Sequence, residues 1–135
     1  MQKTFFMIKP EIVAARTQRC GEILAMVNAD GFRITELALR RLARPTVAEF
    51  YAEHHGKPFY DNLLEYITSG PVICAGLERE DAVGRLRALI GATDPAKAAA
   101  GTIRARFGTS LTQNAVHASA GRADAERELA LIFGR

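Results

Sequence analysis

The sequence predicts an α+β fold: a four-stranded antiparallel sheet with helices packed on it. Three observations predict it. Strand-length apolar or alternating runs occur at Thr4–Lys9, Arg33–Arg40, Pro71–Leu77 and in "NAVHAS" from Asn114 to Ser119. Helical periodicity fills the gap after the first run and the gap after the third, so the order is βαββαβ once short helices are set aside. Each strand-helix-strand half must cross over right-handed, which brings helices onto one face of the sheet. This is the ferredoxin-like plan, here with additional helices. With 135 residues, 48% apolar and 24% charged, the chain has the length and composition of one domain spanning 1–135.

The elements follow in order. "TFFMIK" is closed by Pro10, which cannot donate to a ladder, so the strand stops there. Cys20, Ile23, Leu24 and Val27 recur at helical spacing, and Gly31 marks the stop. "RITELALR" alternates, with Thr35, Leu37 and Leu39 expected on one face and Glu36 and Arg40 on the other, as in a half-buried strand. Thr46 to Glu49 reads as a capping box opening a short helix with Val47, Phe50, Tyr51 and His54 on one face. A second short helix is expected from Pro58, carrying Phe59, Leu63 and Ile67 and ending at Gly70. "PVICAGL" is continuously apolar and so central in the sheet. Val83, Leu86, Arg87 and Ile90 mark another helix, and Ala125, Glu128, Leu129 and Ile132 mark the last. Residues 91–112 show no sustained period, and a loop of that length is uncommon unless it has a job.

Composition excludes several classes. Eighteen Lys and Arg against fifteen Asp and Glu leave +3, which suits anionic small ligands and is too mild to argue for nucleic acid. Cys20 and Cys74 lie far apart in apolar company and read as reduced, buried thiols, which fits a cytoplasmic setting. The N-terminal apolar run is about five residues, too short for a signal peptide, and nothing approaches the roughly 20 apolar residues of a membrane span. No metal-ligand cluster, Walker A sequence or dinucleotide fingerprint occurs.

Five side chains stand out. His117 ends a short strand among small residues, where a ring nitrogen is accessible to an electrophile once a partner sets its tautomer; the plain alternative is a satisfied structural histidine. Glu128 sits on an apolar helical stripe, where a carboxylate is costly unless paired; it either orients His117, directly or through Ser119, or reaches water or an arginine. Lys9 closes an apolar strand, and Arg87 and Arg104 sit at a helix edge and in the long loop. Singly these are solvated charges. Three cations beside an imidazole point to a phosphate site. His54 and His55 are adjacent and face different ways on a helix, which argues against a metal site there.

The segments "TFFMIKP", "FYAEHHGKPFYDNLLEYITSGPV", "LIGATDPAKAAAGTIRARF" and "NAVHAS" resemble the nucleoside diphosphate kinase family in order and spacing along nearly the whole chain. The resemblance implies the ferredoxin-like fold with added helices. It also implies γ-phosphoryl transfer from a nucleoside triphosphate such as ATP or GTP to a nucleoside diphosphate, by ping-pong through a phosphohistidine. His117 matches the nucleophile, and Glu128 with Ser119 matches the pair that holds the imidazole. Lys9, Tyr51, Arg87, Thr93, Arg104 and Asn114 match family active-site positions. By analogy Arg87, Thr93 and Arg104 meet phosphates, Lys9 and Asn114 serve the ribose and phosphate end, and Tyr51 lies near the nucleophile. Phe59 resembles the aromatic under the base, with Leu63 beside it. Mg2+ is expected through the substrate's phosphates, and a homo-oligomer of open size is expected. The departures include Glu11 and Ile12 after Lys9-Pro10, where the family usually has an acidic residue and a small one, Ala120 where an aspartate commonly follows the serine, and Arg106 where a carboxylate is usual. Ala120 and Arg106 motivate a competing reading, a catalytically impaired nucleotide-binding relative with a regulatory or assembly role. A nucleic-acid module on the same fold ranks last, because "VICAGL" offers no aromatic platform.

Overall fold

The computed structural model describes residues 1–15 and 19–134. Among them lie β1 (Gln2–Ile8), α1 (Pro10–Ala14), α2 (Cys20–Ala29), β2 (Arg33–Arg40), α3 (Arg44–Phe50), α4 (Tyr60–Ile67), β3 (Val72–Arg79), α5 (Ala82–Ile90), α6 (Ile103–Phe107), β4 (Val116–Ala118) and α7 (Arg122–Phe133). The strands form one antiparallel sheet in the order β2-β3-β1-β4, as the ferredoxin-like plan requires. No described helix is long and apolar enough to cross a membrane.

β1 shows why its sequence lacks polar alternation. Successive side chains point to opposite faces of a strand. Phe6 and Ile8 join Ile23, Val27, Leu77, Leu86 and Ile90 on one face. Phe5 and Met7 join Val47, Phe50, Leu64, Ile67, Cys74 and Leu129 on the other. Helices therefore cover both faces: α2 and α5 on the first, α3, α4 and α7 on the second. Expecting helices on one face described only the βαββαβ part; the added helices close the other. Burying each large apolar side chain there contributes about 1.5–3 kcal/mol.

Several boundaries differ from expectation, each for a local reason. α3 begins at Arg44 behind an extended Ala43, with no side-chain cap, because Pro45 presets the first turn; Thr46 is inside the helix and caps nothing. His54 falls in a following 3-10 turn (Ala52–His54). α4 begins at Tyr60, and Phe59 is its flanking residue. α1 starts on Pro10 itself, so one proline both ends β1 and opens a five-residue helix. The stretch 91–112 contains a 3-10 turn at Pro95–Lys97, capped by Asp94, and α6, capped by Thr102. Both elements are too short to show a period. In β2 a bulge between Ile34 and Glu36 shifts the register, and Leu37 and Leu39 lie 53% and 66% exposed on this edge strand. The register sets Leu37 opposite Ala75 and Leu39 opposite Ile73, so the expected apolar face of β2 lies on the first-core side of the sheet but stays uncovered at the sheet edge.

Candidate active site

β4 positions His117 by alternation. Val116 and Ala118 face the first core, so His117 faces the second, opposite Met7 of β1. Its ring meets Phe50 edge-on at 5.0 Å and Tyr51 at 6.2 Å. α7 brings Glu128 to the same place from its buried stripe, with Ala125, Leu129 and Ile132. Glu128 is only 3% exposed. Its Oε1 accepts the His117 Nε2–H at 2.9 Å and the Ser119 hydroxyl at 2.8 Å. A carboxylate on Nε2 places the proton there and leaves Nδ1 with its lone pair. On the other side of Glu128, Arg127 lies 3.7 Å from Oε2 and donates to the Glu49 and Phe50 carbonyls at the end of α3.

Ser119 is held by β1. The Phe5 N–H donates to its Oγ at 3.3 Å, and its own N–H donates to the Phe5 carbonyl at 3.3 Å. This bears on Ala120, which is exposed just before the uncapped N-terminus of α7. The turn keeps its place through β1, with no side chain needed at 120.

The cationic side assembles around Lys9, which is 7% exposed at the end of β1. Its Nζ donates to Asn114 Oδ1 at 2.7 Å, and Asn114 Nδ2 donates to the Thr93 carbonyl at 3.0 Å. Burial, then the Arg104 charge, lowers the Lys9 ammonium from 10.5 to about 8, against a smaller opposing pull from Glu11. Arg104 on α6 donates to the Gly91 carbonyl at 3.3 Å and the Val116 carbonyl at 2.9 Å, tying the loop to β4. Gly91 has φ +88°, and a Cβ there would strike Thr102, so only glycine fits this junction. Burial and the neighbouring Arg87 charge lower Arg104 to about 10. Arg87 itself and the Thr93 side chain are exposed at the rim.

At this site two buried donors lack hydrogen-bond partners among the described residues: the Tyr51 hydroxyl and Arg104 Nε. Burial pushes the Tyr51 phenol well above its usual range, with Glu128 adding to the effect, so Tyr51 is a neutral donor. From Tyr51 a chain of rings runs outward: His54 at 6.2 Å, then Phe59 at 5.2 Å from His54. Phe59 is 48% exposed at the start of α4. Leu63, expected beside it, is half-buried and packs against the second core.

Arg106 points away from this constellation. Its guanidinium lies 5.0 Å from the Phe107 ring centre and 3.9 Å from Glu22 of α2. Sequence reasoning missed two further participants, Glu11 and Tyr66. Glu11 accepts from the Tyr66 hydroxyl and from the Ala115 N–H. The available signal was an acidic residue directly after Lys9-Pro10. Among the described residues, no group of three or more His, Cys, Asp or Glu is arranged to hold a metal ion.

The family model described as nucleoside diphosphate kinase matches residues 2–135. A protein of that name from Desulfovibrio desulfuricans is 49% identical over 133 residues, covering 98% of this chain and 94% of that one. The apo structure of nucleoside diphosphate kinase from Encephalitozoon cuniculi aligns at TM-score 0.95 and 30% identity, covering 100% of this chain and 90% of that chain. The enzyme from Halobacterium salinarum, solved in complex with CDP, aligns at TM-score 0.94 and 39% identity, covering 99% and 88%.

Proposed function

Because the chain belongs to the nucleoside diphosphate kinase family and has that phosphotransferase activity, we propose that it works by ping-pong through a phosphohistidine on His117. One observation carries the reading: Glu128, itself held by the Ser119 hydroxyl, holds the imidazole by Nε2, which leaves Nδ1 as the nucleophile. The Nδ1 lone pair attacks the γ-phosphorus of a nucleoside triphosphate. The bond to the bridging oxygen breaks, and the diphosphate leaves with that oxygen. Positive charge developing on the ring is opposed by Glu128, which is already in place and needs no reorganisation. In the second half a terminal oxygen of another diphosphate attacks the phosphorus and the N–P bond breaks, which restores the neutral imidazole.

The remaining side chains take roles that follow from their chemistry. The Tyr51 hydroxyl and Arg104 Nε, buried donors without a hydrogen-bond partner among the described residues, suit phosphoryl oxygens. Arg87 and Thr93 receive the outer phosphates. Lys9 and Asn114 receive the ribose and phosphate end. Exposed Phe59 is a platform for a base, with Leu63 behind it, and stacking of this kind tolerates every base. The substrate is taken as its Mg2+ complex: cations and hydroxyls suit phosphate oxygens, and a cation carried by the phosphates needs no protein cage. These assignments support a competent enzyme over an impaired relative. Exposed Leu37 and Leu39 on an edge strand support a homo-oligomer. A cytoplasmic location and the maintenance of triphosphate pools complete the reading.

Incubation with MgATP alone is expected to yield a chain heavier by one phosphoryl group, acid-labile and mapped to His117. An unmodified mass, or transfer persisting in His117→Ala, overturns the mechanism. Light scattering tests the assembly, with a monomeric mass as the adverse result.

A further inference from the structure

Glu11 takes no part in the transfer just described, yet both of its carboxylate oxygens are engaged. Oε2 accepts the Ala115 N–H at 3.0 Å, and Oε1 accepts the Tyr66 hydroxyl from α4. Ala115 is fully buried and has φ +76°, a left-handed conformation that is strained for a residue with a Cβ. The Val116 N–H turns back to the Asn114 carbonyl at 3.0 Å, closing a γ-turn over three residues. The Ala115 carbonyl accepts from the Lys9 N–H at 2.9 Å. The tip of the turn is thus gripped by its carbonyl from the end of β1 and by its N–H from Glu11. The turn joins the two halves of the site: Asn114 leads into it, and His117 follows two residues after Ala115.

We propose that Glu11 is a positioning residue for nucleotide binding: by holding the strained Ala115 turn between α1 and α4, it sets the Asn114–Lys9 pair that receives the nucleotide. The proposal rests on the reading of Lys9 and Asn114 as nucleotide-binding residues. With a weaker acceptor at residue 11, the buried Ala115 N–H is held less firmly and the turn relaxes toward an unstrained backbone. The Asn114 amide, aligned by Lys9 and by the Thr93 carbonyl, moves with it. Glu11 acts on Lys9 a second way, through charge. The groups around Lys9 are Glu11 from α1, Tyr66 from α4, whose ring centre is 5.8 Å from Nζ, and Arg104 from α6; Tyr51, after α3, couples electrostatically to both Tyr66 and Arg104. Of these, Glu11 is the group that supports the ammonium against burial and against Arg104.

The test compares Glu11→Gln, Glu11→Asp and Lys9→Met in steady-state kinetics across pH, with thermal midpoints alongside. Glu11→Gln, in which a neutral amide oxygen replaces the charged acceptor of the Ala115 N–H, is expected to raise KM for the diphosphate about tenfold, with kcat within about threefold. Its alkaline limb moves to lower pH, since the charge that retains the Lys9 proton is gone. Glu11→Asp keeps the carboxylate, so the limb stays in place and most of the affinity returns. The proposal is overturned if KM and the alkaline limb match the native enzyme in Glu11→Gln. It is equally overturned if kcat and the thermal midpoint fall together while the limb stays put, the mark of a merely structural residue. Lys9→Met separates the two layers. If it leaves nucleotide affinity unchanged, the Lys9 assignment itself fails; if it weakens binding while Glu11→Gln does not, only the role of Glu11 is lost.

Discussion

Around His117 the polar contacts close on themselves. Nε2 and the Ser119 hydroxyl share Glu128 Oε1, Ser119 is anchored to β1, and Phe50 and Tyr51 wall the ring. Around Phe59, Arg87 and Thr93 the side chains face outward at the rim. The two regions answer different demands. A nucleophile needs one tautomer and one direction of attack before substrate arrives, because misplacement by an ångström costs orders of magnitude in rate. A surface that accepts many bases gains little from fixed hydrogen-bond partners and more from an open aromatic face.

Breaking the held side is expected to cost most. His117→Ala should lower kcat by roughly 10^4-fold or more and abolish the phosphoenzyme, measured by intact mass and coupled assay. Glu128→Gln keeps an oxygen for Ser119 but removes the charge; kcat should fall about 10²-fold with KM little changed. On the open side, Phe59→Ala should weaken nucleotide binding by about 1–3 kcal/mol, seen in KM with kcat preserved and of similar size for purine and pyrimidine diphosphates. A large base-dependent change would contradict the stacking role.

Lys9 joins the two regions and sharpens the contrast through pH. Its ammonium deprotonates at about 8 in the folded chain and at 10.5 as an ordinary lysine. KM should therefore climb above pH 8, by about tenfold per unit once the limb is reached. Stability responds with the opposite sign. Between 8 and 10.5 the unfolded chain holds the extra proton, so Lys9 makes a contribution that grows with pH across this window. Denaturant titrations of the native chain and of Lys9→Met should diverge there and run parallel below it. The smallest effect is expected at Arg106→Ala, whose half-exposed pair with Glu22 and contact with Phe107 should be worth less than about 1 kcal/mol, with kcat unchanged.

The legible part of the site was the part that violates a local pattern. Glu128 on an apolar stripe and Lys9 at the end of an apolar strand are anomalies at their own positions, visible without neighbours. Glu11 violates nothing locally: an acidic residue in a first helical turn is ordinary, and its contact with Ala115, 104 positions away, shows what its place after Lys9-Pro10 does. The same distinction explains the β2 error. Alternation placed Leu37 and Leu39 on one face correctly, but their place on an edge strand, past a bulge at Ile34/Glu36, leaves that face uncovered. The elements in 91–112 escaped because three and five residues are fewer than two helical turns.

The amino-acid sequence by itself determined the element types, the central place of the two apolar strands, and a histidine and a carboxylate at costly or accessible positions. Period and burial cost are properties of a short window of chain. Tertiary structure alone decided that helices cover both faces, that Nε2 is the nitrogen held, and that Lys9 meets Asn114 across 105 positions. Those outcomes depend on the register that sets Met7 opposite His117 and on a strained turn at Ala115. Register is a relation between distant segments, and no local window contains it.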